Sequence, residues 1–478
     1  MTAYPGMQGR KAPARGAAKA PTYRCSECGW SAVKWVGRCG ECQAWGTVGE
    51  MGAGRVRTTA AVATTRAAPR IGEVDLTRAE AAPTGVGEFD RVLGGGLVPG
   101  AVVLVAGEPG IGKSTLLLDV AARAARSGRR VLYVSGEESA AQVRMRAERI
   151  EAMAAHLHLA AETDLGTILG QIDVLAPQLV VVDSVQTIAS AEIDGSAGNV
   201  AQVREVAAAL IAVAKAHDIC ILLVGHVTKD GSIAGPRVLE HLVDVVVAFE
   251  GERHSRLRLV RAVKNRYGPT DEVGCFDLSD VGIVGLPDPS GLFLSTRDVT
   301  VPGTCVTITL EGRRPLVAEV QALVARSTTP SPRRATSGLD SARVAMSVAV
   351  LERRARIPVA AADTYTATVG GAKVTEPAAD LAIALALASA ALDRAFPCDA
   401  IAIGEVGLAG EIRPVTGMPR RLAEAARLGF RRVLVPPGTL GSAAPVPGLA
   451  LVEVSHLAQA VAVALQAGPD RDVDVSEL

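Results

Sequence analysis

Residues 107–114 read Gly107-Glu108-Pro109-Gly110-Ile111-Gly112-Lys113-Ser114, a complete match to GxxxxGK[ST]. The match follows an apolar run, Ala101–Ala106, and precedes an amphipathic segment starting near Thr115. Strand, glycine-rich turn and helix in that order form a phosphate cradle. Backbone N–H groups wrap the β-phosphate, Lys113 reaches the β- and γ-phosphates, and Ser114 binds Mg²⁺. Gly107 to Thr115 are therefore the candidate ATP-binding residues, with Lys113 also acting on the transferring phosphate.

The surrounding pattern agrees with such a turn. Ala101–Ala106, Val131–Val134, Leu179–Val182, Ile219–Val224 and Val243–Phe249 read as buried strands. Leu116–Ala125, Ser139–Glu148 and Val203–Lys215 read as helices between them. This alternation predicts an α/β domain over 71–290 with a mostly parallel sheet covered on both faces. Asp183 ends the third run and is the candidate second Mg²⁺ holder. Glu137 and Glu138 lie just past the end of the second run, where ligands of open parallel sheets bind. Glu137 is the candidate base for hydrolysis and Glu138 the reserve. The alternative for either is a carboxylate that stabilises a helix start.

The chain has 478 residues, room for two to four domains, and its 50 basic and 50 acidic side chains cancel. The charge is unevenly placed. Residues 1–70 hold 11 basic and 3 acidic side chains. Within them, Cys25-x2-Cys28 and Cys39-x2-Cys42 place four thiolates to converge on one ion, the arrangement of a closed Zn²⁺ site. Disulfides or an iron site are the alternatives. Trp30, Trp35 and Trp45 fall in the same module, over 23–50. They serve as a miniature core or as a surface for nucleobases, and the small size of the module favours core for at least two. Residues 1–22 read as a disordered basic tail and 51–70 as a linker. No run is long enough to span a membrane and no signal segment opens the chain, so a cytoplasmic protein is expected.

Thr84-Gly85, Leu93-Gly94-Gly95-Gly96, Pro99-Gly100, the phosphate loop, SGEES (135–139) and VVVDSVQT (180–187) together resemble a RecA-type ATPase core. With the four-cysteine head and Lys264-Asn265-Arg266-Tyr267-Gly268, the resemblance narrows to the bacterial RadA (Sms) family of DNA repair proteins, whose KNRFG motif has Phe at the place of Tyr267. It implies an ATP-dependent, DNA-binding hexameric ring. Such a ring acts on single-stranded and branched DNA alongside RecA, with helicase-like branch migration. It implies further that Lys264 and Arg266 reach the ATP of a neighbouring subunit, that His226 is a polar sensor, and that Lys229 and Arg237 hold DNA in the pore. A mobile surface loop is the alternative for the last two. A KaiC-like signalling ATPase is the competing class, separable by stimulation with single-stranded DNA.

Residues 295–478 change texture and read as an α+β domain resembling the Lon peptidase. Val301–Leu310, Ile401–Val406 and Val433–Val435 read as strands, and Ser341–Arg353 and Ala378–Leu392 as helices. Ser327–Gly338 reads as a mobile loop. Ala378 and Pro419 stand where Lon has its serine and lysine, so an ATP-dependent protease is disfavoured. Lys373, Arg413, Arg420 and Arg421 form a basic patch or are ordinary surface.

Overall fold

The computed structural model describes residues 23–50, 70–73, 80–226, 238–251, 256–279, 281–294, 301–442 and 444–465. The chain divides into two compact units, Met1–Val74 and Asp75–Leu478.

In the first unit β1 (Tyr23–Cys25) pairs antiparallel with both β2 (Ser31–Ala32) and β3 (Val48–Glu50). Cys25, Cys39 and Val48 are its buried centre, and Tyr23, Trp30 and Val36 pack around them. The tryptophans depart from expectation. Only Trp30 joins the core, while Trp35 and Trp45 are 63% and 75% exposed. The converging thiols already occupy the centre, so a ribbon this thin has no second layer in which to bury two more indoles.

The second unit opens with α1 (Gly87–Leu93), β4 (Val102–Gly107), α2 (Lys113–Arg126), β5 (Val131–Ser135) and α3 (Ala140–Arg149). It continues with β6 (Leu157–Ala161), α4 (Leu165–Leu175), β7 (Leu179–Asp183), α5 (Val200–His217), β8 (Cys220–His226) and β9 (Val245–Glu250). Side chains at the N-cap positions set the helix starts. Ser139 and Gln142 form a reciprocal cap on α3, and Asp164 and Asn199 cap α4 and α5. The antiparallel β10 (Leu257–Asn265), β11 (Val273–Ser279) and β12 (Gly282–Gly285) complete a nine-stranded sheet of order β12-β11-β10-β9-β4-β8-β7-β5-β6. The six strands β4 to β9 run parallel. Apolar clusters lie on both faces, one on the α2 side and one on the α4–α5 side, as a doubly covered parallel sheet requires.

Two sequence motifs interlock beneath the sheet. Gly94, at φ +85°, caps α1, and a Cβ on it would lie 3.0 Å from Gly268 Cα. Asn265 Nδ2 donates to the carbonyls of Val92 and Leu93 at 3.3 and 3.2 Å, closing the C-terminus of α1.

Beyond residue 300, β13 (Thr304–Glu311), β14 (Arg314–Arg326), β15 (Arg334–Ser337), α6 (Ser341–Val350), β16 (Ala362–Thr368) and α7 (Asp380–Leu392) form a sheet of order β13-β14-β16-β15 backed by helices. Then come β17 (Ala400–Ala402), β18 (Glu405–Val406), β19 (Ile412–Arg413), α8 (Met418–Arg427), β20 (Arg432–Val435), α9 (Thr439–Ser442), β21 (Ala450–Glu453) and α10 (Leu457–Ala464). The segment read as a mobile loop is partly strand. Arg334–Ser337 pairs in parallel with Thr364–Ala367, and Arg333 N–H bonds Asp363 at 2.8 Å. The Ser- and Pro-rich residues before it hid four residues whose strand partner lies 30 positions away.

The expected boundary near 290–295 separates two sheets but not two units. The turn between β13 and β14 enters the ATPase region. The buried Arg314 pairs with the buried Glu88 of α1 and donates to the carbonyls of Val273, Leu286 and Pro287 at 3.0, 3.1 and 2.7 Å. Arg261 adds a pair to Glu311 at 2.9 Å.

Candidate functional site

Two conformational facts build the phosphate loop. Gly110 and Gly112 have φ of +76° and +110°, the region where a Cβ is strained. A side chain on Gly107 would meet Phe249 O at 2.6 Å. Gly112 gives α2 no side-chain cap, so the first-turn N–H groups stay available to phosphate oxygens. Ser114 and Thr115 occupy that first turn. Lys113 Nζ donates to Gly107 O and Glu108 O, both at 2.8 Å. Burial lowers its pKa to about 8, against the opposing pull of Asp183 and Glu137. Arg258, from β10, donates from Nε to Ile111 O at 3.2 Å and so steadies the loop from the antiparallel side.

At the carboxyl ends of neighbouring strands the acidic residues take different partners. Asp183 Oδ2 accepts the Tyr133 hydroxyl at 2.7 Å, and burial together with Asp183 raises the Tyr133 pKa well above the ordinary value. Glu137 Oε1 accepts from Ser184 Oγ at 2.5 Å and lies 3.0 Å from His226 Nε2. Gln186 Nε2 donates to His226 O at 3.3 Å. Glu138 turns away and pairs with Arg146, whose other nitrogen lies 4.0 Å from Asp183. SGEES and VVVDSVQT are also fitted together. Gly136 N–H bonds Asp183 O at 2.9 Å, and a Cβ on Gly136 would run into Thr187 Oγ1 at 2.1 Å.

Lys113, Asp183, Glu137 and His226 thus gather at the carboxyl edge of the parallel strands. Lys264 and Arg266 do not join them. β10 runs antiparallel to β9 and its ladder shifts between Ala262 and Lys264. The pair emerges at the opposite end of the sheet, about 17 Å away along β4. Lys264 Nζ donates to Glu240 O and Val243 O at 2.8 and 2.7 Å, and Arg266 bonds Asp244 at 2.9 Å. Asp244 is buried, also accepts from Lys215 at 2.7 Å and from Val102 N–H at 3.0 Å, and its pKa is lowered because these bonds outweigh burial. Lys229 and Arg237 lie outside the described residues.

Sequence reasoning missed Tyr133, Ser184, Arg146 and Arg258. Ser184 was legible as the neighbour of Asp183. Arg258, a charge between Leu257 and Leu259, reads by alternation as solvent-facing, so its burial had no sequence signal.

In the ribbon the four cysteine sulfurs lie within 4.8 Å of one another. The Thr47 hydroxyl, 3.2 Å from Cys25 Sγ, is the main cause lowering that thiol to a pKa of about 6. Four soft donors at that spacing fit tetrahedral Zn²⁺. The basic patch beyond residue 370 dissolves in part. Arg421 is 1% exposed and makes two 2.7 Å bonds to Glu376, while Arg413 pairs with Glu405 and Glu411. Ala378 is buried and Pro419 lies in the first turn of α8.

Family models match three stretches: an AAA domain over residues 88–232, a rubredoxin metal binding domain over 23–50, and the ChlI subunit of Mg-chelatase over 346–439. The DNA repair protein RadA of Mycolicibacterium smegmatis is 58% identical, covering 92% of this chain and 96% of that protein. RadA of Bacillus subtilis is 43% identical, covering 92% and 98%. A solved KaiC-like protein from Pyrococcus horikoshii aligns at 20% identity over 44% of this chain and 100% of its own, with a TM-score of 0.36. Fold and site define a P-loop ATPase of the RecA class that carries a zinc ribbon ahead of its core and a ChlI/Lon-like region behind it. Identity of this level over nearly the whole length settles the family: the chain belongs to the RadA DNA repair proteins. Among the described residues no helix is long and apolar enough to cross a membrane.

Proposed function

We propose that this chain is a DNA-dependent ATPase motor working as a hexameric ring on single-stranded and branched DNA, alongside RecA in recombinational repair. The observation that carries the reading is the separation of Lys264 and Arg266 from their own phosphate loop. They stand on and just past β10, at the opposite end of the sheet from that loop, which fits a role at the nucleotide of a neighbouring copy in the ring. A cation supplied in trans stabilises charge growing on the γ-phosphate and is worth about 10³-fold or more in rate.

Within one subunit, Lys113 and the N–H groups of the loop bind the phosphates. Ser114 and Asp183 would hold Mg²⁺, which would supply positive charge against the phosphates. Glu137 takes a proton from the attacking water, and Ser184 and His226 orient its carboxylate. Glu138, held by Arg146, keeps a structural part. Lys229 and Arg237 follow His226 in sequence, so strand position at the pore has a short route to the base.

ATPase rates with and without single-stranded DNA at two salt concentrations test the reading. Stimulation that falls steeply with salt is expected, because phosphate contacts release counterions. Absence of stimulation would leave the signalling-ATPase class. A mixture of Lys113→Ala and Arg266→Ala subunits should recover partial activity. No recovery in verified mixed rings would remove the trans assignment.

A further inference from the structure

Tyr133 is 1% exposed, in the middle of β5, within the apolar cluster on the α2 side of the sheet. A phenylalanine would fill that core equally well, so the buried hydroxyl calls for a partner. It finds one in the Asp183 carboxylate, at Oδ2, 2.7 Å away. The ladder explains the reach. Ser135 pairs with Asp183 and Tyr133 with Val181, so Tyr133 and Asp183 are diagonal neighbours on one face. Burial and the charge of Asp183 keep the phenol protonated and therefore a standing donor.

Arg146 approaches the same oxygen from α3. Its Nη1 lies 4.0 Å from Asp183 Oδ2, buried and without a hydrogen-bond partner among the described residues. That nitrogen stops one bond short of a carboxylate because Nη2 of the same guanidinium is paired with Glu138, between β5 and α3. Glu138 is itself fixed. Its N–H bonds Ser135 Oγ at 3.1 Å, and its carbonyl accepts from the same hydroxyl at 3.0 Å.

Mg²⁺ takes hard oxygen donors in strict geometry, and Ser114 with Asp183 offers a donor set of that kind. Such a cation needs its carboxylate turned one way and not shared with an arginine. We infer that Tyr133 is a positioning residue that fixes Asp183 by Oδ2 and leaves Oδ1 to the Mg²⁺ of bound nucleotide, while Glu138 restrains Arg146 from claiming the same carboxylate. This rests on the ATPase reading above, in which Asp183 would hold Mg²⁺, and gives Glu138 a task beyond its own turn.

The full-length, zinc-loaded protein can be titrated with methylanthraniloyl-ADP, without added Mg²⁺ and at a series of Mg²⁺ concentrations. The readout is the Mg²⁺ concentration that gives half of the metal-dependent gain in affinity. Tyr133→Phe should raise it about tenfold, the scale on which partners of metal ligands act. Affinity without Mg²⁺ should stay as in the parent. Glu138→Gln should raise the half-point too. Adding Arg146→Gln to Glu138→Gln should bring it back toward the parent, since the freed arginine is then gone. The positioning role is overturned if Tyr133→Phe keeps the parent's half-point, or if it weakens nucleotide equally with and without Mg²⁺, as a merely loosened core would. The restraint is overturned if Glu138→Gln has no effect or if the double variant stays as poor as Glu138→Gln alone. Glu138 has a 37% exposed side chain, so these two variants still decide if Tyr133→Phe does not fold. Asp183→Asn is the reference for loss of the site. If it retains the parent's Mg²⁺ dependence, the placing of Mg²⁺ on Asp183 falls, and the positioning with it.

Discussion

At the scale of single residues, Lys113 is charged at neutral pH by a narrow margin. Burial has lowered its pKa to about 8, so below that pH it meets the phosphates already protonated. Above it, binding a polyanion must draw a proton from solvent. Affinity for a non-hydrolysable ATP analogue should therefore fall by up to about tenfold per pH unit above 8, with proton uptake detectable by calorimetry in buffers of different ionisation heat. An affinity flat from pH 7 to 9.5 would contradict this. Lys113→Ala should abolish turnover with the fold intact. Glu137→Gln should lower turnover by about 10²–10⁴-fold while nucleotide still binds, and Glu138→Gln should lower it far less. The phosphate loop and Asp183 were legible because backbone geometry dictates their spacing. The choice between Glu137 and Glu138 was not. It depends on Ser184, His226 and Arg146, which reach those carboxylates from other elements.

Secondary-structure elements were legible where their pattern is local. The buried strands of the parallel sheet announce themselves as unbroken apolar runs. β15 did not, because its strand character comes from β16 and not from its own residues. The ladder shift in β10 between Ala262 and Lys264, beyond which Lys264 and Arg266 bond the 240–244 segment, has no local signal either. The most consequential hidden contact is Glu376 with Arg421, between the turn before α7 and the start of α8. Arg421 is fully buried, and its guanidinium also donates to the carbonyls of Thr416 and Ile308. Glu376→Ala would strand that cation and should cost roughly 3–5 kcal/mol, visible as a large fall in the thermal midpoint of the second unit. Replacing both residues by apolar ones of similar volume should recover most of the loss. If Glu376→Ala melts like the parent, the pair contributes little.

At the scale of the molecule, the ribbon and the remainder are separate compact units. A metal chelator or Cys28→Ala should unfold only the first, because modules of this size fold on their metal. Tryptophan emission should change while the main thermal transition and nucleotide binding persist. Loss of all structure together would refute that independence.

The turn joining β13 to β14 has a consequence for how such proteins exchange parts. A chimera cut at the apparent boundary near residue 295 would bring in a foreign turn to meet a native socket. Glu88 and Arg314 sit 226 positions apart in sequence, both nearly sealed from water, with Cys275 N–H donating to the same carboxylate at 2.9 Å. A donor lacking arginine at that place would leave the acid buried without its partner. Grafts between relatives should therefore succeed ahead of the core, at the ribbon. Behind it, they should succeed only when α1 and residues 311–314 travel together. The chain is modular at its front and a single inheritance from Asp75 onward.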